Sequence, residues 1–301
     1  MKKAVIYVFS GTGNTHTAAE MIAGALSRRG IETTVWNVCV PYSAAPDPRE
    51  YDIAGFGYPV HAFNTPKFFL RFAKTLPSVS GMQAFVFKTS GEPFHLNDAS
   101  SMPLVRILHK KGFRPMFERH LLMPYNIMFR YPDALAKQMY LHTRDMAELI
   151  AHDVSSGAQR KTRYLPWTVL CMYLFRLQWF GAWVNGPLIH ADRAVCSGCG
   201  RCAAQCPAQN IRLKDGTPHF SGHCIMCMRC VFNCPKDALR PGFLNAWRVN
   251  GAYPFEALVR DESIPASCVN SSTRGYFRLF LPYYLCTAAE IDELHKNELS
   301  C

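Results

Sequence analysis

The chain has 301 residues, 49% apolar and 18% charged, with a formal net charge of +11. This composition excludes a disordered chain, and the length suffices for two domains or one large one. The basic excess contains no long Lys/Arg run, which argues against nucleic acid as a partner and favours acidic proteins or a membrane face.

Ala4–Phe9 is an apolar run that predicts a strand, and Ser10-Gly11-Thr12-Gly13-Asn14-Thr15 follows it directly. A helix is expected over Thr15–Arg29, with Ala18, Ala19, Met21, Ile22, Ala25 and Leu26 on one face. A strand, a loop of glycines and hydroxyls, and a helix start make an anion-binding geometry. Gly11 and Gly13 let the backbone turn tightly around a phosphate. Backbone N–H groups of 12–15, the hydroxyls of Ser10, Thr12 and Thr15, and the Asn14 amide are the candidate donors. The loop has neither G-K-S/T nor G-x-G-x-x-G, so it is not a nucleotide P-loop or a dinucleotide fingerprint.

Further strands are expected at Glu32–Val38, Ile53–Tyr58, Ala84–Lys88 and, in a short form, Phe113–Phe117. Helices are expected at Thr65–Thr75, Ser100–Lys111 and Asp133–Val154. This alternation predicts a parallel α/β sheet covered on both faces. Right-handed crossovers then gather the loops 10–15, 57–66 and 89–97 on one edge, where ligands bind. Gly57-Tyr58-Pro59-Val60 would flank a flat ring, with Tyr58 stacking on it. Thr89-Ser90-Gly91-Glu92 would clamp the other side.

Residues 156–190 read as a junction. The segment Leu165–Phe175 is too short to span a bilayer, and Arg176 interrupts its continuation. A buried inter-domain helix or hairpin is expected, with an interfacial surface as the alternative.

Two cysteine runs follow, Cys196, Cys199, Cys202, Cys206-Pro207 and Cys224, Cys227, Cys230, Cys234-Pro235. Each reads C-x2-C-x2-C-x3-C-P, the spacing of 4Fe-4S clusters in bacterial two-cluster proteins. Structural zinc is the competing reading, since C-x2-C pairs also bind zinc. The third Cys and the Pro after the fourth favour iron-sulfur cubes. The ligands should cross over, Cys196, Cys199, Cys202 and Cys234 holding one cluster and Cys224, Cys227, Cys230 and Cys206 the other. Small residues around the thiolates leave backbone N–H groups free to bond the sulfurs. A phosphate site and an electron wire in one chain suggest a flavin that exchanges electrons with clusters.

Residues 241–301 are aromatic and end in a closing helix at Ala288–Leu299, expected to pack on one domain or brace the pair. Cys39, Cys171, Cys268, Cys286 and Cys301 read as ordinary thiols. His16 is expected near phosphate or solvent, and His219 and His223 at the surface. The apolar stretch after Lys2-Lys3 already ends at Phe9, so no leader is expected and the cytoplasm is the expected compartment.

The Ser10–Thr15 loop resembles the FMN phosphate loop of flavodoxins, and residues 57–63 and 89–95 stand where that family places its two ring-flanking loops. Residues 191–240 resemble bacterial ferredoxins with two 4Fe-4S clusters. The whole is similar to the flavodoxin–ferredoxin fusion proteins found mostly in anaerobic bacteria and archaea. That resemblance implies FMN, two 4Fe-4S clusters and electron transfer. It implies a doubly wound sheet of order 2-1-3-4-5 over residues 1–155, with a small ferredoxin-like α+β domain at 191–240. The implied role is an intracellular electron carrier or converter serving redox proteins or reductases, acidic ones in view of the basic charge. A reductase acting on a small molecule is the alternative. Membrane contact is not the expectation.

Overall fold

The computed structural model describes residues 1–160 and 162–299, with side chains as far as Lys296; Cys301 lies outside these. The N-terminal half runs β1 (Lys2–Val8), α1 (Asn14–Arg28), β2 (Ile31–Asn37), β3 (Ile53–Pro59), α2 (Lys67–Thr75), β4 (Met82–Ser90), α3 (Met102–Lys110), β5 (Phe113–Leu122) and α4 (Asp133–Ser156). All strand pairs are parallel and their order is β2-β1-β3-β4-β5, as expected for a flavodoxin-like fold.

The central strands read as continuous apolar runs because both faces are covered. On one face, Ile6, Val8, Phe85 and Phe87 pack against Ala18, Ile22 and Leu26 of α1 and Met146 and Ile150 of α4. On the other, Tyr7, Phe56, Tyr58 and Val86 meet Phe69 and Phe72 of α2 and Leu104 and Leu108 of α3. Chain reversal after α4 is set by Gly157, left-handed at φ 70° in the capping position.

β5 is longer than expected. It continues to Leu122, and Met116 is skipped in the register where Pro115 pairs with Ala84 and Phe117 with Phe85. Glu118, Arg119 and His120 suggest a strand end by their charge, yet each finds a polar partner. Arg119 pairs with Asp153 at 2.6 Å and Glu290 at 2.8 Å, Glu118 accepts from Ser101 and Tyr164, and His120 bonds the Ser90 hydroxyl at 2.6 Å.

The junction contains α5 (Pro166–Leu174) and α6 (Gln178–Asn185), joined by a single 3-10 turn. It is not the buried helix expected. Thr168 and Met172 are buried against the first half, while Trp167, Leu170, Leu174, Leu177, Phe180 and Trp183 are exposed. Two small antiparallel sheets follow, β6 (Ile189–Ala191) with β9 (Leu239–Pro241) and β7 (Ile211–Lys214) with β8 (Thr217–Phe220). Between their strands lie the one-turn helices α7 (Arg201–Ala204) and α8 (Arg229–Phe232). The last segment holds α9 (Phe255–Arg260) and α10 (Leu281–Leu299). Val269, Phe280, Leu281 and Tyr284 pack on Leu135 and Met139 of α4, and Ile291 and Leu294 join the sheet core. No helix among the described residues is long and apolar enough to cross a membrane.

Candidate functional site

The carboxyl ends of β1, β3, β4 and β5 surround a cavity of about 670 Å³. Ser10, Gly11, Thr12, Asn14 and Thr15 line it from the first loop, Pro59 and Val60 from the second, and Thr89, Ser90, Gly91 and Glu92 from the third. Helix α1 starts at the cavity with no side-chain cap, so its first-turn N–H groups lack a side-chain acceptor. Such a helix start suits a phosphate.

The side chains of the loop are already engaged. Ser10 Oγ accepts from Gly13 N at 3.1 Å, Thr15 Oγ1 bonds Thr89 Oγ1 at 2.7 Å, and Thr12 Oγ1 accepts from Asn126. Asn14, expected to offer its amide to the anion, donates Nδ2 to the Pro124 carbonyl at 2.7 Å instead. These bonds shape the loop and take up one Asn14 N–H, while Ser10 and Thr12 only accept in them and keep their O–H groups as anion donors beside the backbone amides. Gly13 itself does not line the cavity; its φ of 109° makes the turn into α1.

Gly57 and Tyr58 are misplaced by the sequence reading. Both belong to β3, where Tyr58 is fully buried beneath α2, and its hydroxyl bonds Ser100 Oγ at 3.0 Å. Strand alternation sends that ring into the core rather than over the ligand edge. Gly57 faces the Phe87 ring, which leaves no room for a Cβ. His61, Ala62 and Phe63 take the wall position that Tyr58 was expected to fill. Burial lowers the His61 pKa to about 4, so the ring is neutral at physiological pH.

The third loop is braced from several directions. The Ser90 hydroxyl donates to Glu92 O at 2.6 Å, and the Tyr131 hydroxyl donates to Gly91 O at 3.0 Å. A Cβ on Gly91 would strike the Tyr125 ring. The Glu92 carboxylate accepts from the Tyr276 hydroxyl of the C-terminal segment. Beneath the loop, buried Lys88 donates Nζ to the carbonyls of Asn97 and Asp98, both at 2.9 Å.

Two smaller cavities lie in the cysteine-rich part. One is lined by Cys196, Cys199, Cys202 and Cys234, the other by Cys206, Cys224, Cys227 and Cys230. The structure thus brings together the crossed sets, not the sets consecutive in sequence. Backbone amides reach the fourth sulfur of each run, Asn210 N to Cys206 Sγ and Ala238 N to Cys234 Sγ, both at 3.3 Å. The duplication extends to the backbone. Gly198, Gly200 and Gln209 are left-handed, and so are Met226, Met228 and Asp237 at the matching places. The surroundings differ: Cys199 is exposed, while burial pushes the Cys224 thiol up to about 12.

Residues 195–239 match the family model of the 4Fe-4S dicluster domain. Among curated proteins none matches the chain. Among solved structures, the flavodoxin of Streptococcus pneumoniae TIGR4 is 18% identical over 52% of this chain and 99% of its own, with a TM-score of 0.39. Flavodoxin 1 of Bacillus cereus is 21% identical over 50% and 98%, with a TM-score of 0.35. A short-chain flavodoxin associated with a non-canonical PDU bacterial microcompartment is 14% identical over 53% and 100%, with a TM-score of 0.40. At those values the fold assignment rests on the strand order itself.

The dicluster segment sits directly against the first loop. Met226, Cys227 and Met228 line both the large cavity and the cavity of the second thiol set. Arg229 Nε donates to Gly11 O at 2.9 Å, its Nη1 to Gln205 O at 3.0 Å, and its Nη2 to Ser10 O. The remaining wall comes from Met123–Met128 beyond β5, from Phe175, Gln178 and Ala182 of the junction, and from Phe243, Leu244 and Trp247. None of these was singled out as a site residue from sequence. The aromatic bias of 165–184 and 241–255 is the signal for the junction and C-terminal ones, and it does not distinguish a wall from a core; residues 123–128 carry no such signal.

Proposed function

We propose that this chain is an electron-transfer protein that holds FMN at the Ser10–Thr15 loop and one 4Fe-4S cluster on each crossed thiol set. When bound, the flavin exchanges electrons singly or in pairs and each cluster exchanges them singly, which makes the assembly a two-to-one electron converter. The observation that carries this reading is Cys227, which lines both the large cavity and a four-thiol cavity. The two candidate cofactor sites therefore share a wall one residue thick.

The residues present fit these groups. The uncapped start of α1 offers amide donors to a phosphate without a cationic side chain. Arg229 clamps the carbonyls of Ser10 and Gly11, which fixes the loop against the dicluster segment. Met226 and Met228 flank Cys227 in the shared wall and give it an apolar lining. The outer thiol set opens near Arg193, Arg201 and Lys214, a surface that suits an acidic redox protein. A reducing compartment such as the cytoplasm suits eight unpaired thiols.

Anaerobic isolation followed by metal analysis and a redox titration with visible and EPR detection tests the proposal. One FMN with roughly eight iron and eight sulfide per chain is expected for two cubes. Zinc as the sole metal would end the reading. One observation favours a second reading, a reductase for a small molecule: Phe175, Phe243 and Trp247, from outside the flavodoxin-like half, add aromatic walls to the large cavity. Rapid reoxidation of the reduced protein by a small quinone or nitroaromatic, with slow reoxidation by redox proteins, would select it.

A further inference from the structure

The junction leaves an apolar face that neither cofactor site uses. Leu170, Leu174, Leu177, Phe180 and Trp183 are 60 to 75% exposed, in sequence along α5, the turn after it and α6, and Trp167 extends the same surface. The opposite side of the pair is fixed to the protein. Asn64 Nδ2 donates to Met172 O at 2.9 Å, Gln178 Nε2 to His61 O at 2.6 Å, and Phe175 packs edge-on to Phe63 at 4.8 Å. The exposed face is therefore held rigidly outward.

Its electrostatics are one-sided. Between Asp153 and Asp192 the sequence has no Asp or Glu, but it has Arg163 and Arg176. Cations from other elements come to the same place. Lys67 Nζ lies 5.7 Å from the Trp179 ring, Arg176 stands over Tyr173 and Trp179, and Arg106 Nη1 reaches the Tyr173 hydroxyl at 3.5 Å. Leu, Phe and Trp on one face with a rim of Lys and Arg is the pattern of a helix lying in a bilayer interface. Tyr and Trp suit the headgroup level, and the basic rim complements anionic lipid. Neither helix is long enough to span.

We propose that α5 and α6 dock this protein on the surface of an anionic lipid bilayer, with Leu170, Leu174, Leu177, Phe180 and Trp183 inserted among the upper acyl chains. The turn between these helices walls the large cavity through Phe175 and α6 walls it through Ala182, so docking places that cavity next to the bilayer. The proposal does not depend on which cofactors are bound or on which function reading holds.

Sedimentation of the holoprotein with vesicles tests it. Phosphatidylglycerol–phosphatidylcholine vesicles at low salt should carry at least ~10-fold more protein than pure phosphatidylcholine, and 0.5 M salt should remove most of that excess. The pair L174E and F180E should lower the bound fraction ~10-fold or more, while visible absorbance and circular dichroism stay unchanged because both side chains are already exposed. No sedimentation with either vesicle overturns the proposal, and so does binding that the double variant leaves intact. A dimer in light scattering that L174E and F180E convert to monomer, without vesicle binding, overturns it in favour of a second copy covering the face.

Discussion

Gly11 and Gly13 stand two residues apart in one loop and answer to different constraints. Gly13 has φ 109° and open space around its Cα, so a side chain there meets only backbone strain. Gly11 needs no special φ, but a Cβ would overlap the Cys227 carbonyl oxygen, and a backbone atom in a braced loop cannot swing aside. Gly11→Ala should therefore push the first loop from the dicluster segment, costing about 1–3 kcal/mol by overpacking. The expected signature is weaker flavin retention than in Gly13→Ala, measured as flavin released per chain on gel filtration; equal retention in both would mean the contact is not tight. From sequence both glycines read as phosphate-loop glycines, which holds for the turn. The second reason for Gly11 was hidden, because its neighbour lies in the other half of the chain. Met226 and Met228 carry a related lesson. The duplication aligns them with Gly198 and Gly200, yet they keep left-handed backbone at about 1–2 kcal/mol each. Their side chains line the shared wall, which glycine could not do.

Among the elements, β1, β3 and β4 were legible because each is a short apolar run followed by turn residues, and β2 because its β-branched and aromatic residues follow the helix-ending Gly30. β5 was not, and its charged end shows why. Arg119 and Asp153 are 9% and 1% exposed, and they tie β5 to α4 while Glu290 and Arg160 complete the group at 2.8 and 3.2 Å. Pairing across elements cannot be read from the local pattern that signals a strand end. The group predicts its own energetics. Asp153→Ala should cost about 3 kcal/mol, the low end for breaking a buried pair, because it removes the buried partner of Arg119 and leaves the guanidinium only the partly exposed Glu290 carboxylate. The double variant Arg119→Met with Asp153→Ala should lose less than Asp153→Ala alone, since Arg160 and Glu290 still pair at 3.4 Å. Anaerobic urea unfolding of the three proteins measures this, and a double variant less stable than the single would contradict it. For α5 and α6, apolar content gave helix but not burial. Two turns of Leu, Trp and Phe look alike whether they face a core or a bilayer, and only the contacts of Thr168 and Met172 show which side is inside.

At the scale of the molecule, one side chain carries the polar tie between the flavodoxin-like half and the dicluster segment at the shared wall. Arg229 comes from the first turn of α8, between two cysteines of the inner thiol set, and bonds carbonyls 218 and 219 positions away in sequence. Its third contact, to Gln205 O, anchors it to the other cysteine run. A cation held by three backbone carbonyls fixes the loop's carbonyls outward, and this directs the loop's amides to the cavity side. Hydrogen bonds to a charged group contribute about 1.5–3 kcal/mol each. If one such bond's worth reaches the loop, Arg229→Met should weaken flavin binding by ~10- to 100-fold while iron content stays at its wild-type level. Flavin fluorescence on titration of deflavinated protein reads the first quantity and metal analysis the second. Unchanged FMN affinity would show that the loop is shaped without the dicluster segment, and loss of iron with FMN would place Arg229 in service of the thiols alone. The expected split, flavin weakened and iron retained, follows only if the dicluster segment helps build the flavin site, which is the condition for two redox sites to share a wall in one chain.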